Sequence, residues 1–77
     1  MGYEPIITDN AQRKMQEHNI SKTEILAAFG SSMIEKGMVP GSVVGIARMG
    51  GYEICALYKK LDQGQYIIIS CWKRPHM

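Results

Sequence analysis

Residues 42–60 read SVVGIARMGGYEICALYKK, which is two strand-like runs on either side of Gly50-Gly51. A Gly-Gly pair between such runs indicates a two-residue hairpin loop, because glycine readily adopts the positive φ angles of these turns. A third strand-like run covers residues 66–73, and the segment LDQGQ at residues 61–65 joins it to the second. The sequence therefore predicts three consecutive antiparallel strands, at residues 42–48, 52–60 and 66–73.

The two loops also predict which residues lie opposite each other in the sheet. With Gly50 and Gly51 at the loop centre, Arg48 is expected opposite Glu53. A three-residue loop in the second hairpin places Glu53 opposite Lys73. Both pairs bring opposite charges together, which favours this register. The other expected cross-strand pairs are Val44 with Leu57, Ile46 with Cys55, Cys55 with Cys71 and Leu57 with Ile69.

These registers divide the side chains between two faces of the sheet, because successive residues of a strand point to opposite sides. One face is apolar and is expected to pack on helices. It carries Val44, Ile46, Cys55, Leu57, Ile67, Ile69 and Cys71. The other face is rich in aromatic residues and is expected to be open. It carries Tyr52, Ile54, Ala56, Tyr58, Tyr66, Ile68, Ser70, Trp72 and Arg74.

Residues 9–30 are expected to form a helical hairpin. A first helix is predicted over residues 10–18, and Asn19 suits the left-handed position that commonly follows a helix. The segment Ser21-Lys22-Thr23-Glu24 is a capping box, in which the serine and glutamate side chains satisfy backbone N–H groups reciprocally. It predicts that a second helix begins here and covers residues 22–29.

Together these patterns predict one α+β domain over residues 1–77. Two N-terminal helices are expected to pack on one face of a three- or four-stranded antiparallel β-sheet, whose main strands lie within residues 42–74. Residues 1–7 contain Pro5, and proline is not tolerated in a central strand, so this segment is expected to form an arm or an edge strand. Residues 33–36 are interpreted as a short strand or an irregular link.

Composition restricts the classes of function. The 77 residues carry nine Lys and Arg against seven Asp and Glu, and 45% of them are apolar, which is typical of a globular domain. No apolar run is long enough to span a membrane, and no secretory signal is evident, which predicts a cytoplasmic protein. Cys55 and Cys71 are then expected to be free buried thiols. Without paired cysteine spacing or a phosphate loop, no metal or cofactor is expected.

The aromatic residues of the predicted open face suggest a binding surface. Tyr58, Tyr66 and Trp72 are candidates to stack on the bases of a nucleic acid, since each stacked base contributes about 1–3 kcal/mol. The alternative is that these rings pack a dimer interface or a loop, because Tyr and Trp are also common in half-buried sheets.

The last strand ends in the basic segment Trp72-Lys73-Arg74-Pro75-His76. Lys73 and Arg74 are candidates to hold a scissile phosphate, and His76 is a candidate acid or base. The alternative interpretation is a solvated, loosely ordered tail, which is common at chain termini.

Residues 10–25 resemble the opening of small RelE- and BrnT-like proteins, through the spacing of Ala11, Met15, Ile20 and Ser21. These proteins belong to the superfamily that joins barnase, colicin nuclease domains and RelE toxins. The resemblance continues through the glycine hairpin to an apolar last strand. Two positions depart from the family pattern: Asn10 stands where the family has histidine, and His18 stands where it has arginine.

The resemblance implies a RelE-like α+β domain that binds RNA on its exposed sheet face and acts as a metal-independent endoribonuclease toxin. It implies RNA as a ligand and a small antitoxin-like protein as partner. Separately, a chain this short has room for only one small core, which predicts a homodimer. The alternative is a non-catalytic interaction module that uses the aromatic face. The candidate catalytic residues are His76, Arg74 and Lys73, and the candidate RNA-binding residues are Arg48, Tyr58, Lys59, Tyr66 and Trp72.

Overall fold

The computed structural model describes residues 4–75. Two helices precede most of a five-stranded sheet with the strand order β1-β5-β4-β3-β2. The elements are β1 (Ile6–Ile7), α1 (Asp9–His18), α2 (Lys22–Phe29), β2 (Ile34–Lys36), β3 (Ser42–Arg48), β4 (Tyr52–Lys60) and β5 (Tyr66–Pro75).

The sheet differs from the expected three- or four-stranded antiparallel one. The α+β class and the two N-terminal helices are confirmed, but the sheet has five strands and is mixed, because β1 runs parallel to β5. β1 pairs through two residues, Ile6 with Ile67 and Ile7 with Ile68, and the buried Pro5 precedes it. Strands of two and three residues carry too little alternation to be recognised in a sequence.

The helical hairpin forms as the capping residues predict. Ser21 accepts a hydrogen bond from the Glu24 amide at 3.1 Å, and the Glu24 carboxylate accepts one from the Ser21 amide at 2.9 Å. Asn19 adopts the left-handed conformation, with φ 56°, at the end of α1. The connection between the helices is therefore a tight turn that sets both helices on the same side of the sheet.

The predicted register of the sheet is confirmed in the first hairpin and in part of the second. Arg48 lies opposite Glu53 in the β3–β4 pair. In the β4–β5 pair the expected register holds next to the loop and then shifts by one residue between Leu57 and Tyr58. Ile69 is the extra residue of this β-bulge, so beyond it the prediction is wrong. Glu53 lies opposite Arg74 rather than Lys73, Cys55 opposite Trp72 rather than Cys71, and Leu57 opposite Ser70 rather than Ile69.

The helices pack on the face of the sheet that was expected to be open. The buried cluster between the layers joins helix residues to one face of β4 and β5, and consists of Ala11, Ile20, Ile25, Ala28, Ile54, Ala56, Ile68 and Cys71. The prediction was wrong because both faces of β4 are apolar, so alternation does not distinguish them. Small residues determine which face the helices cover, because α2 approaches β3 so closely that a Cβ atom at Gly45 would collide with the carbonyl oxygen of Ala28.

Candidate functional site

The face of the sheet opposite the helices, called the open face from here on, is curved and partly buried. Val44, Ile46, Cys55 and Leu57 form a second small core there, against which Ile69 and Trp72 pack. No described helix covers these residues; the segment at Gly37, where a Cβ atom would lie 2.8 Å from the Leu57 side chain, and curvature of the sheet account for their burial. In this way a five-stranded sheet with helices on one side acquires a concave surface on the other.

A contact across the sheet supports this curvature. A terminal nitrogen of Arg74 on β5 lies 3.2 Å from a carboxylate oxygen of Glu35 on β2, although β4 and β3 separate the two strands. In a flat sheet, strands at this separation would lie roughly 14 Å apart. Both side chains are long, and the sheet must also curve toward the open face to bring them together.

A cluster of four charged residues occupies one end of the open face: Glu53, Arg48, Arg74 and Glu35. We call it the Glu53 cluster. Glu53 has a side chain only 8% exposed, and each of its carboxylate oxygens accepts a hydrogen bond from one arginine. The Nε atom of Arg48 donates to one oxygen at 3.1 Å, and the Nε atom of Arg74 donates to the other at 2.7 Å.

The register places this cluster. Arg48, Glu53 and Arg74 lie side by side on three adjacent strands, because Glu53 is paired with Arg48 across the glycine hairpin and with Arg74 across the β4–β5 ladder. The β-bulge is necessary for this arrangement. If Ile69 were paired with Leu57 in a regular ladder instead of bulging, the residue opposite Glu53 would be Lys73, and a single lysine nitrogen would replace the planar guanidinium.

The electrostatics of the cluster are balanced but unevenly exposed. A buried carboxylate is strongly unfavourable unless it is paired, and the two arginines supply that pairing. The hydrogen bonds from Arg74 to Glu53 and to Glu35 raise the pKa of the Arg74 guanidinium further, so it stays charged. The side chains of Arg48 and Arg74 are 54% and 38% exposed, so solutes can reach these cations and the small exposed part of Glu53, which lies on the strand between them.

Half of the candidate site residues lie on the open face. Arg48 and Arg74 belong to the Glu53 cluster, and Trp72 packs against the small core beside Cys55, its cross-strand partner. Lys59 lies on β4 and alternates to the same face as Glu53. It is six residues further along the strand, which is about 20 Å in an extended chain.

The structure places Tyr58 and Tyr66 on the helix side of the sheet. Their rings pack edge-to-face with Phe29 of α2, with centroid separations of 4.8 Å for Phe29–Tyr58 and 5.4 Å for Phe29–Tyr66. The shift of faces explains this placement, because the side of the sheet that carries these tyrosines is the one that the helices cover. Two of the three predicted stacking residues are therefore part of the packing under α2.

Lys73 also lies on the helix side. Its ammonium group donates a hydrogen bond to the Asn19 carbonyl at 3.3 Å and lies 4.7 Å from the centre of the Tyr52 ring. Tyr52 in turn donates to the Glu24 carboxylate at 2.6 Å, and this bond lowers the pKa of Glu24. Lys73 therefore points away from the Glu53 cluster, and His76 lies outside the described residues.

Sequence reasoning missed both carboxylates of the cluster as functional candidates. Glu53 was noted only as a partner in cross-strand pairing, and Glu35 was not considered at all. The sequence did contain a signal for Glu53: it is the one charged residue in the run YEICALY, and a charge within an apolar strand requires a specific partner. Glu35 gave no comparable signal, because its contact with Arg74 depends on the curvature of the sheet.

The two cysteines are free and buried on opposite faces. Cys71 faces the helices, where its thiol donates to the Ala11 carbonyl at 3.5 Å, whereas Cys55 lies in the small core of the open face. Burial raises the pKa of both thiols, that of Cys71 to about 11, so both are protonated at neutral pH. Within residues 4–75, no group of three His, Cys, Asp or Glu side chains is placed to hold a metal ion.

A cavity of about 630 Å³ lies at the other end of the molecule from the Glu53 cluster in the β4–β5 hairpin. Phe29 and Tyr66 form its apolar part, and the hairpin loop supplies Gln63 and Gln65. This cavity brings together none of the candidate catalytic residues.

No helix in the described part of the chain is long and apolar enough to cross a membrane.

The fold and site thus define an α+β domain with a charged cluster on the concave face of a mixed sheet. Comparison of the chain with protein-family models, with curated protein sequences and with solved structures finds no match.

Proposed function

We propose that this protein binds RNA on its open face and cleaves it without a metal ion, with Glu53 as the general base. The observation that carries the proposal is the buried Glu53 carboxylate held between the guanidinium groups of Arg48 and Arg74 on the face that no described helix covers. A carboxylate can act as the base in metal-free phosphodiester cleavage, and two arginines can stabilise the charge on the phosphate.

The two arginines account for recognition of the RNA backbone. Guanidinium groups match the geometry of phosphate oxygens and bind them through paired hydrogen bonds. Arg48 and Arg74 are exposed enough to meet a phosphate. Trp72 lies on the same face two residues before Arg74 on β5, and its ring is half-buried. Lys59 supplies a further positive charge on the same face, about 20 Å along β4, for a phosphate several nucleotides away.

The proposed reaction uses the 2′-hydroxyl of RNA as the nucleophile. Glu53 accepts the proton of this hydroxyl, the 2′-oxygen bonds to phosphorus, and the bond between phosphorus and the 5′-oxygen breaks. The departing oxygen takes a proton from an acid, for which His76 is the predicted candidate. The products are a 2′,3′-cyclic phosphate and a 5′-hydroxyl, and Arg48 and Arg74 stabilise the charge that develops on the phosphate oxygens.

Incubation of purified protein with a labelled RNA oligonucleotide in the presence of a chelator tests the proposal. We expect cleavage products that carry a cyclic phosphate, identified by mass. A matched oligonucleotide with 2′-deoxyribose throughout is the control, because it keeps the phosphates and lacks the nucleophile. Intact RNA under conditions in which the protein is folded, or cleavage of the deoxy control, would contradict the proposed reaction.

Replacing Glu35 with glutamine should tighten RNA binding. In the free protein a terminal nitrogen of Arg74 donates a hydrogen bond to the Glu35 carboxylate at 3.2 Å, so a phosphate must compete with this carboxylate for the guanidinium. The ion pair is partly exposed and contributes up to ~1 kcal/mol, so we expect Kd to fall by about two- to fivefold. Fluorescence anisotropy with the deoxy oligonucleotide measures this change without cleavage.

The Glu17→Gln variant is the matched control for Glu35→Gln. Its side chain is 50% exposed, close to the 54% of Glu35, and it forms ion pairs with Arg13 and Lys14 on α1. Both substitutions remove one negative charge, but only Glu35 belongs to the Glu53 cluster. Equal changes of Kd in the two variants would show that net charge alone is responsible and would speak against phosphate binding at Arg74.

A further inference from the structure

The exposed apolar side chains of this protein are concentrated at one edge of the sheet. Among residues 4–75, five large hydrophobic residues are exposed, and four of them lie on β2 or beside it. Ile34 is 54% exposed and Met38 is 90% exposed. Exposed apolar groups gathered in one place mark a contact surface more often than scattered ones do. The four residues are Met33, Ile34, Met38 and Val39.

The backbone of β2 offers unused hydrogen-bonding groups at the same edge. The carbonyl of Met33 accepts from Ile46, and the amide of Gly37 donates to Ser42. Hydrogen-bonded positions alternate in an antiparallel pair, so residues 33, 35 and 37 direct their backbone groups toward β3. The N–H and C=O groups of Ile34 and Lys36 therefore point away from the sheet.

The opposite edge of the sheet is protected. β1 pairs through two residues only and follows the buried Pro5. Beyond β1, side chains donate hydrogen bonds to the backbone carbonyls of β5: Thr8 to that of Ile68 at 2.8 Å and Asn10 to that of Ile69 at 3.0 Å. Prolines and capping side chains are devices that prevent edge pairing, and they leave β2 as the edge with free backbone groups.

We propose that β2 pairs antiparallel with β2 of a second copy of this chain, which joins two sheets into one. A two-fold axis at Glu35 places Ile34 of one copy opposite Lys36 of the other, and these are the positions whose backbone groups point outward. Each such pair exchanges both hydrogen bonds. The edge is thus self-complementary, as a symmetric dimer requires.

Charge and side-chain packing are consistent with this register. The two Glu35 carboxylates face each other across the axis, but each is already paired with Arg74 of its own chain, so no like charges meet unneutralised. On the helix side of the sheet, the aliphatic stem of Lys36 covers Ile34 of the other copy. Met33 and Met38 flank the short ladder at its two ends and adapt readily to an apolar partner surface.

Mass measurement across a wide range of protein concentration tests the dimer without RNA, and therefore independently of the proposed function. We expect about 17 kDa at high concentration, twice the 8.6 kDa of the chain. Ile34→Lys should abolish the dimer. Ile6→Lys is the matched control, because Ile6 is 45% exposed on the opposite edge strand, and it should leave the dimer intact. A mass of one chain at every concentration, or equal loss in both variants, would overturn the proposal.

Amide hydrogen exchange tests the register itself. The amides of Ile34 and Lys36 should gain protection as the concentration rises, whereas the Glu35 amide, which is directed toward β3, should be protected at all concentrations. Lys36→Pro removes one outward N–H group and should weaken the dimer by tenfold or more while circular dichroism stays unchanged. Concentration-independent exchange at Ile34 and Lys36, together with a dimeric mass, would place the interface elsewhere and contradict the pairing.

Discussion

Replacing Glu53 with glutamine is expected to reduce RNA cleavage by about 10²- to 10⁴-fold, which is the usual contribution of a general base. Glutamine keeps the size of the side chain and one carbonyl oxygen, but it cannot take a proton from the 2′-hydroxyl. RNA binding should persist, because Arg48 and Arg74 remain and one competing carboxylate has been removed. Single-turnover cleavage rates and Kd for the deoxy oligonucleotide, measured on the same preparation, separate the two effects.

Stability must be measured alongside activity, because Glu53 is also a buried ion-pair partner. Removing one member of a buried pair costs up to about 3–5 kcal/mol, and here the arginines reach solvent, which lessens the cost. Activity is therefore compared at a temperature at which both proteins are folded by circular dichroism. The Glu35→Gln variant should retain cleavage. A folded Glu53→Gln protein that cleaves as fast as the unchanged protein would rule out Glu53 as the base.

The Glu53 cluster also shows why purely structural ion pairing is the less favoured interpretation. A well-packed apolar trio is often as stable as a buried charged one, so stability alone gives little reason for three charged residues in a row across the sheet. The cluster lies on the open face, and its two cations are accessible from solvent. These features are what a phosphate-binding surface needs and what a core does not.

Local signals in the sequence predicted the elements that depend on local chemistry. The capping box at Ser21, the left-handed Asn19 and the glycine hairpin each act over a few residues, and all three are present in the structure. The β-bulge at Ile69 was not predictable in the same way. In the run YIIIS, three successive isoleucines fit either face, so nothing local distinguishes a regular strand from a bulged one.

The bulge determines how much of the candidate site could be predicted. Trp72 and Arg74 were expected on the open face and lie there, but for a different reason. The helices cover the side that was predicted to be open, and the extra residue at Ile69 moves Trp72 and Arg74 to the other side. Tyr66 precedes the bulge on β5, and Tyr58 lies on β4, which has no extra residue, so both remain on the helix side. A single inserted residue thus separates the predicted aromatic surface into two.

Gly45→Ala should destabilise the fold by about 1–3 kcal/mol, the usual effect of adding a methyl group to a filled space. A Cβ atom at this position would collide with the Ala28 carbonyl oxygen and lie 3.2 Å from the Tyr58 ring, so α2 must move away from β3. For a domain of this size, each kcal/mol corresponds to roughly 4–8 °C in Tm. Thermal unfolding followed by circular dichroism measures the change.

Gly51→Ala is the control that isolates the steric contribution. Both substitutions reduce the conformational freedom of the unfolded chain by the same amount, which on its own stabilises a protein slightly. At Gly51 the added methyl group meets no atom within 4 Å, so Tm should stay constant or rise. The difference between the two variants therefore measures how closely α2 rests on the backbone of β3. Equal Tm values would mean that the helices do not cover this face, and the open face would then have to be reassigned to the other side of the sheet.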